Sequence, residues 1–302
     1  MNILIIVIAI IVVAFVILLY LGNFAFNLAL ERGDEKTMQR LPGRPQEYPN
    51  NDWIKNNTQK VTITSDDGLE LCAYLYDGDT KKFAVLCHGY RNDHYMLDLP
   101  AQKFAEMGFG VLSVDARGHG DSEGKYICMG WYERRDIIKW CEMLRSRFGN
   151  DIRIVLYGVS MGAATVMMTG GEEDVPENVR CIVEDCGFTS LWDQSAHLLK
   201  VFYSLPPFPV LYSINMVCKR KAHYTLKEVS PLEQLKKCRV PVLFIHGVKD
   251  NFVPYYMRDV LYDAAAGPKE KLDFAKAAHA QSFKTEPDRY FASIKTFTDK
   301  YC

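Results

Sequence analysis

Five short apolar runs constrain this chain more than anything else in its 302 residues. They cover residues 83–87, 110–114, 152–157, 180–183 and 240–245, and Gly, His or Asp follows each within a few positions. Segments with helical spacing, such as 96–107 and 131–148, lie between them. A strand that is apolar along its whole length has no solvated face, so such strands pair in a parallel sheet covered by helices on both sides. Residues 61–64 and 69–76 flank the turn Asp66-Asp67-Gly68 and predict an antiparallel hairpin that opens the sheet. Residues 271–274 predict a last strand and 287–301 a closing helix. The expected fold class is therefore α/β, with a mostly parallel sheet between two helical layers.

The N-terminus obeys a different rule. Residues 3–21 carry no charge and are nearly all Ile, Val, Leu, Ala or Phe. At 1.5 Å per residue this run matches the ~30 Å hydrocarbon core of a bilayer. A cleaved signal peptide would want a basic start, a shorter apolar core and an A-x-A-like site, and the sequence has none of them. Residues 1–30 are thus expected to be a single-pass membrane anchor. No Lys or Arg precedes the run, whereas Arg32, Lys36, Arg40 and Arg44 follow it, which places the rest of the chain on the cytoplasmic side.

Residues 31–60, polar and punctuated by Pro42, Pro45 and Pro49, predict a juxtamembrane connector without a core of its own, and 61–302 the globular domain. Within that domain the interval from Glu184 to Val240 is too long for a simple connection. It holds Leu205-Pro206-Pro207-Phe208-Pro209 and a basic Lys219-Arg220-Lys221, so about 187–230 is expected to form a lid, an extended helical connection being the plainer alternative. With 48% hydrophobic and 24% charged residues, the composition suits a sizeable core. A formal charge of −1 leaves no basic stripe for nucleic acid. The nine cysteines are odd in number and scattered through apolar runs; they predict buried thiols in a reducing compartment rather than disulfides. No CxxC pair with zinc spacing occurs, so no metal is expected.

Two stretches match G-x-S-x-G. Gly120-Asp121-Ser122-Glu123-Gly124 sits in a charged turn without a strand before it or a helix after it. Gly158-Val159-Ser160-Met161-Gly162 follows an apolar run and opens a helical one, which is the strand–turn–helix setting that lifts a serine oxygen out at a sheet edge. Ser160 is the candidate nucleophile; a structural serine is the alternative. Its hydroxyl needs a base. In the chain order nucleophile, acid, histidine, one histidine follows a well-placed acid, and it is His279. Asp250, in the loop leaving the 240–245 run, is the candidate acid, with Asp263 and Asp273 behind it. Donors for an oxyanion are expected from the backbone N–H of Met161 and of Tyr90, the latter in the turn His88-Gly89-Tyr90 after the first parallel strand.

Taken together, Leu86-Cys87-His88-Gly89-Tyr90, the block from Asp115 to Gly124, the Ser160 motif and the block from Phe244 to Asp250 resemble the α/β-hydrolase superfamily. More narrowly, the chain resembles bacterial N-terminally anchored hydrolases of lysophospholipase-like and serine-aminopeptidase-like type. The resemblance covers about residues 61–302. It implies an eight-stranded sheet, a Ser160–Asp250–His279 triad, no cofactor, and a structural role for residues 115–124. The expected activity is hydrolysis of an ester or thioester of a small or lipid-derived acyl substrate through an acyl-enzyme. A peptidase releasing N-terminal residues is the second reading, which would need an acidic anchor for the free amine. A non-catalytic, membrane-tethered binding module is the third.

Overall fold

The computed structural model describes residues 3–33 and 52–302. Most of the expected connector falls on residues 34–51, outside the described residues. The part that is described contradicts a coreless connector: helix α2 (Trp53–Asn57) buries Ile54 completely, and the Ile54 N–H donates to Asp98 at 2.7 Å. The packed domain therefore starts before residue 61, because Ile54 is buried in the core and the neighbouring Trp53 packs against the same cluster.

Eight strands form one sheet in the order β1-β2-β4-β3-β5-β6-β7-β8. They are β1 (Gln59–Thr64), β2 (Glu70–Tyr76), β3 (Lys82–Cys87), β4 (Gly110–Val114), β5 (Arg153–Val159), β6 (Val179–Asp185), β7 (Val242–Gly247) and β8 (Lys269–Phe274). β2 pairs antiparallel with both β1 and β4, and every pairing from β4 to β8 is parallel. The expected hairpin and all six parallel strands are present, with ends shifted by a few residues.

Side-chain alternation sorts the strands' apolar residues into two layers. Ala84, Leu86, Val155, Tyr157 and Val183 pack with α3 (Asp98–Glu106) and α11 (Pro287–Tyr301). Val85, Cys87, Ile154, Leu156 and Ile182 pack with α4 (Glu133–Phe148) and α5 (Met161–Gly170) on the opposite face. A chain that leaves β3 for β4 on one side and then returns to β5 on the other opens a crevice at the carboxyl ends of these strands, where open α/β sheets bind ligands.

A third apolar cluster covers that edge, built from α6 (Leu191–Tyr203), α7 (Val210–Ala222) and the far end of α1 (Ile3–Leu30). The remaining described helices are a 3-10 turn at His94–Leu97, α8 (Pro231–Leu235), α9 (Tyr256–Ala264) and α10 (Ser282–Thr285). α1 has 28 residues and is long and apolar enough to cross a membrane; its most apolar 18-residue stretch has none of its residues buried. Its last turns differ. Gly22, Phe26 and Leu30 are buried, the Leu30 carbonyl accepts from Ile127 N–H at 2.7 Å, and Glu31 bridges Tyr126. The expected boundary at residue 30 thus separates parts that pack as one. All nine cysteines are free and buried.

Candidate active site

Ser160 sits between the last residue of β5 and the first of α5 with φ 57° and ψ −112°, a conformation that costs a non-glycine residue about 1–3 kcal/mol. The surroundings hold it there. The Ser160 N–H donates to the Asp185 carbonyl at 2.8 Å, and the Ser160 carbonyl accepts from Ala164 at 3.0 Å. Two glycines make the turn possible by close approach. A Cβ on Gly158 would collide with the Gly162 carbonyl, and one on Gly162 with the Cys87 carbonyl. The second contact also presses the start of α5 against the turn after β3, where Tyr90 lies. Met161, as the first residue of α5, has an N–H without an intrahelical acceptor.

His279 and Asp250 reach Ser160 because the loops after β7 and β8 are tied together. Val248 donates to Phe274 at 2.9 Å and Lys249 to Ala277 at 3.0 Å, while a Cβ on Gly247 would strike the Ala277 carbonyl. His279 Nδ1 lies 2.7 Å from Asp250 Oδ2, and Nε2 lies 2.9 Å from Ser160 Oγ. A carboxylate only accepts, so Nδ1 carries the proton and Nε2 is left to accept from the serine hydroxyl. The structure therefore brings together the three residues singled out in the sequence, 119 and 29 positions apart. Of the alternatives, Asp263 is exposed on α9 and Asp273 pairs with Arg258 at 2.5 Å.

Burial alone would raise the Asp250 pKa, but hydrogen bonds from His246 and His279 outweigh it and hold the carboxyl well below the usual range. Oδ1 accepts the N–H groups of Phe252 and Val253, both at 2.9 Å. His246, fully buried, approaches the same Oδ2 to 3.3 Å. His246 precedes Asp250 in the chain and so falls outside the order nucleophile, acid, histidine; its position as the second histidine on Asp250 depends on the loop folding back over seven residues to Val253, whose carbonyl its Nε2 also contacts at 3.0 Å.

Two further histidines fix the turn that holds Tyr90. His88 Nδ1 donates to the Gly89 carbonyl at 2.7 Å, and its Nε2 accepts from Ala116 N–H at 3.1 Å. His119 Nδ1 donates to the Arg117 carbonyl at 3.1 Å, and its Nε2 accepts from Arg91 N–H at the same distance. Both stay neutral because burial depresses their pKa values, that of His119 to about 3. The end of α1 grips the same turn: Tyr90 Oη donates to the Ala29 carbonyl and Arg91 Nη2 to the Leu28 carbonyl at 2.5 Å. Ser122, the serine of the other motif, is buried and structural, donating to the Asp115 carbonyl at 2.6 Å and accepting from Cys72 N–H at 2.8 Å.

The ligand atoms of Cys186, Asp250 and His279 lie within 4.8 Å of one another. They make a poor metal site. Burial holds the Cys186 thiol in its neutral form, whereas metals bind thiolate, and the other two atoms are already bonded to each other. Glu184 and Asp185, the acidic pair that ends β6, are fully buried. Glu184 accepts from Gly187 N–H at 2.9 Å and Asp185 from Tyr290 Oη at 2.9 Å. Burial pushes their pKa values up to about 8 and about 6.

Known proteins share this architecture. The family model described as "Serine aminopeptidase, S33" matches residues 78–207. YqkD of Bacillus subtilis (strain 168), an uncharacterized protein, is 31% identical over 238 residues, 78% of each chain. The esterase Pf2001 of Pyrococcus furiosus superposes with a TM-score of 0.67 over 85% of this chain and 98% of its own, at 23% identity. An acylaminoacyl peptidase of Pyrococcus horikoshii does so with a TM-score of 0.59 over 80% of this chain and 40% of its own, at 20% identity. Likeness at such identities speaks to the fold and not to the substrate. The sheet order, the strained turn after β5 and the extent of the match to YqkD agree, and the chain belongs to the α/β-hydrolase superfamily.

Proposed function

We propose that this chain is a membrane-tethered serine hydrolase that cleaves an ester or thioester of a small or lipid-derived acyl group. The observation that carries the reading is the single imidazole of His279 in hydrogen-bond contact with both Ser160 Oγ and Asp250. In the first step Ser160 Oγ bonds to the acyl carbon as its proton passes to His279 Nε2. Asp250 orients the ring and stabilises the imidazolium. The N–H groups of Met161 and Tyr90 receive the oxyanion. Collapse breaks the bond to the leaving alkoxide or thiolate, which takes the proton from His279, and water then hydrolyses the acyl-enzyme by the same relay in reverse. No cofactor enters these steps.

Ester hydrolysis is preferred to aminopeptidase action because Glu184 and Asp185 face the interior, held by Gly187 and Tyr290, and offer a free amine no exposed carboxylate. The apolar N-terminal helix supports the tether, and the basic residues after it support a cytoplasmic catalytic domain. The test is fluorophosphonate labelling of membranes carrying the full-length chain. Labelling is expected in wild type and lost in Ser160→Ala and His279→Ala; equal labelling of Ser160→Ala would move the nucleophile elsewhere. A panel of p-nitrophenyl esters against aminoacyl anilides then separates the two substrate classes, and preferential turnover of anilides would reverse their order.

A further inference from the structure

We propose that the segment joining α6 to α7, together with the start of α7, lies in the surface layer of a lipid bilayer. The proposal rests on the reading of α1 as a membrane anchor and extends it to a second element.

Among the described residues outside α1, eleven large hydrophobic side chains are exposed, and seven of these fall between Val201 and Met216. They include Phe202, Tyr203, Leu205 and Tyr212, and Phe208 is 71% exposed. A contiguous apolar surface of this kind marks an interaction face. Its position beside α1 identifies the partner. Ser213 Oγ donates to the Leu18 carbonyl at 2.6 Å and Lys221 Nζ to Asn27 Oδ1 at 2.7 Å, so α7 runs alongside α1 in the same direction. Gly22 permits the approach, since a Cβ there would collide with Ser213.

Depth follows from this register. The stretch of α1 free of amide or charged side chains ends before Asn23, and about twenty residues fill the hydrocarbon layer. Leu18 then lies roughly 6 Å inside its edge at 1.5 Å per residue. Ser213 is at that level, and Leu205 and Phe208 precede it in the chain, at the end of α7 that points into the bilayer. Lys221, level with Asn27, falls in the headgroup zone. Lys219, Arg220 and Lys221 follow the apolar segment and Lys200 precedes it, while residues 201–216 contain no charge. An apolar stretch bracketed by cations fits an anionic lipid surface.

The same face leads to the candidate active site. The Phe202 ring stands 6.4 Å from that of Phe252, which stands 4.9 Å from the His279 ring. Gln194 and His197 of α6 bond the carbonyls of Phe252 and Asn251 at 2.7 and 2.9 Å. An acyl chain leaving the bilayer along this face would meet aromatic surface up to the imidazole.

The experiment uses the full-length chain in vesicles of phosphatidylcholine and phosphatidylglycerol. Because every native cysteine is buried, an environment-sensitive thiol dye will report an introduced one. The sites are Phe208→Cys, with Leu205→Cys as a second variant should the first fail to fold, Ile10→Cys in α1, and Glu173→Cys in the exposed loop at the opposite edge of the sheet. We expect blue-shifted emission at 208, 205 and 10, quenched several-fold more by spin-labelled lipid than emission at 173. Quenching at 10 with a solvent-like 208 and 205 would overturn the bilayer contact and leave the anchor standing. A solvent-like Ile10→Cys would overturn the anchor and the contact with it. Blue-shifted emission at 208 without lipid quenching would assign the face to a protein partner and also overturn the proposal.

Discussion

At the scale of single residues, a serine hydroxyl surrounded by protein is inert until a base receives its proton, and the base is useful only in the correct tautomer. Asp250 sets that tautomer through the 2.7 Å bond to His279 Nδ1. Asp250→Asn would offer an amide that can present N–H to Nδ1 and leave Nε2 protonated. We therefore expect kcat for a p-nitrophenyl ester to fall by about 10⁴-fold with little change in KM, a loss of the size seen when a triad acid becomes an amide. A loss below tenfold would assign the orienting role elsewhere. Glu184 yields a different prediction. Burial raises its folded-state pKa to about 8, so between the unfolded value of 4.5 and 8 the folded chain holds a proton that the unfolded chain has released. Stability from this group is present below about 4.5 and is lost as pH rises through about 8. Thermal melts of wild type and Glu184→Gln should diverge in favour of the variant as pH rises from 5 to 8; a constant difference would show that Glu184 does not titrate in that window.

At the scale of elements, the turn after β3 is held by three parts of the chain at once: His88 and His119 from within the sheet edge, and the carbonyl end of α1 through Tyr90 and Arg91. Helix α1 is thus a structural member of the domain. Gly22 is a point of close contact, because α1 and α7 meet there without room for a Cβ. Gly22→Leu should destabilise the full-length protein by roughly 1–3 kcal/mol, the usual cost of overpacking a close contact. Melting of the detergent-solubilised chain measures it, and an unchanged midpoint would mean that α1 does not pack on α7 in solution. Little of this was legible beforehand. Strands and helices announced themselves through local periodicity, and Ser160 through the strand and helix on either side of it. The bonds from Tyr90 and Arg91 to α1 join residues 61 and 63 positions apart, and those from His88 and His119 span 28. No period or motif links such pairs. The same holds for Trp53 and Ile54, a pair of apolar residues in an otherwise polar stretch whose length is too short for any period to announce their place against the core.

At the scale of the whole molecule, the candidate site exists only because β5, β7 and β8 lie in one sheet with their carboxyl ends at the same edge. Chain order foretold which histidine and which aspartate would arrive there, since the topology brings the ends of these strands to one crevice in sequence. It could not foretell that His246 would lie against Asp250 as well, because that requires the loop from Gly247 to Val253 to close on itself. Groups that act as one unit lose their function together, so removing the second member costs little once the first is gone. The most direct measurement is kcat for a p-nitrophenyl ester with Ser160→Ala, His279→Ala and the double variant, each in the full-length chain. The relay predicts that each single change costs about 10⁵–10⁶-fold and that the double variant is no slower than the singles. Losses that multiply in the double variant would contradict it, and would mean that Ser160 and His279 act independently despite the 2.9 Å between them.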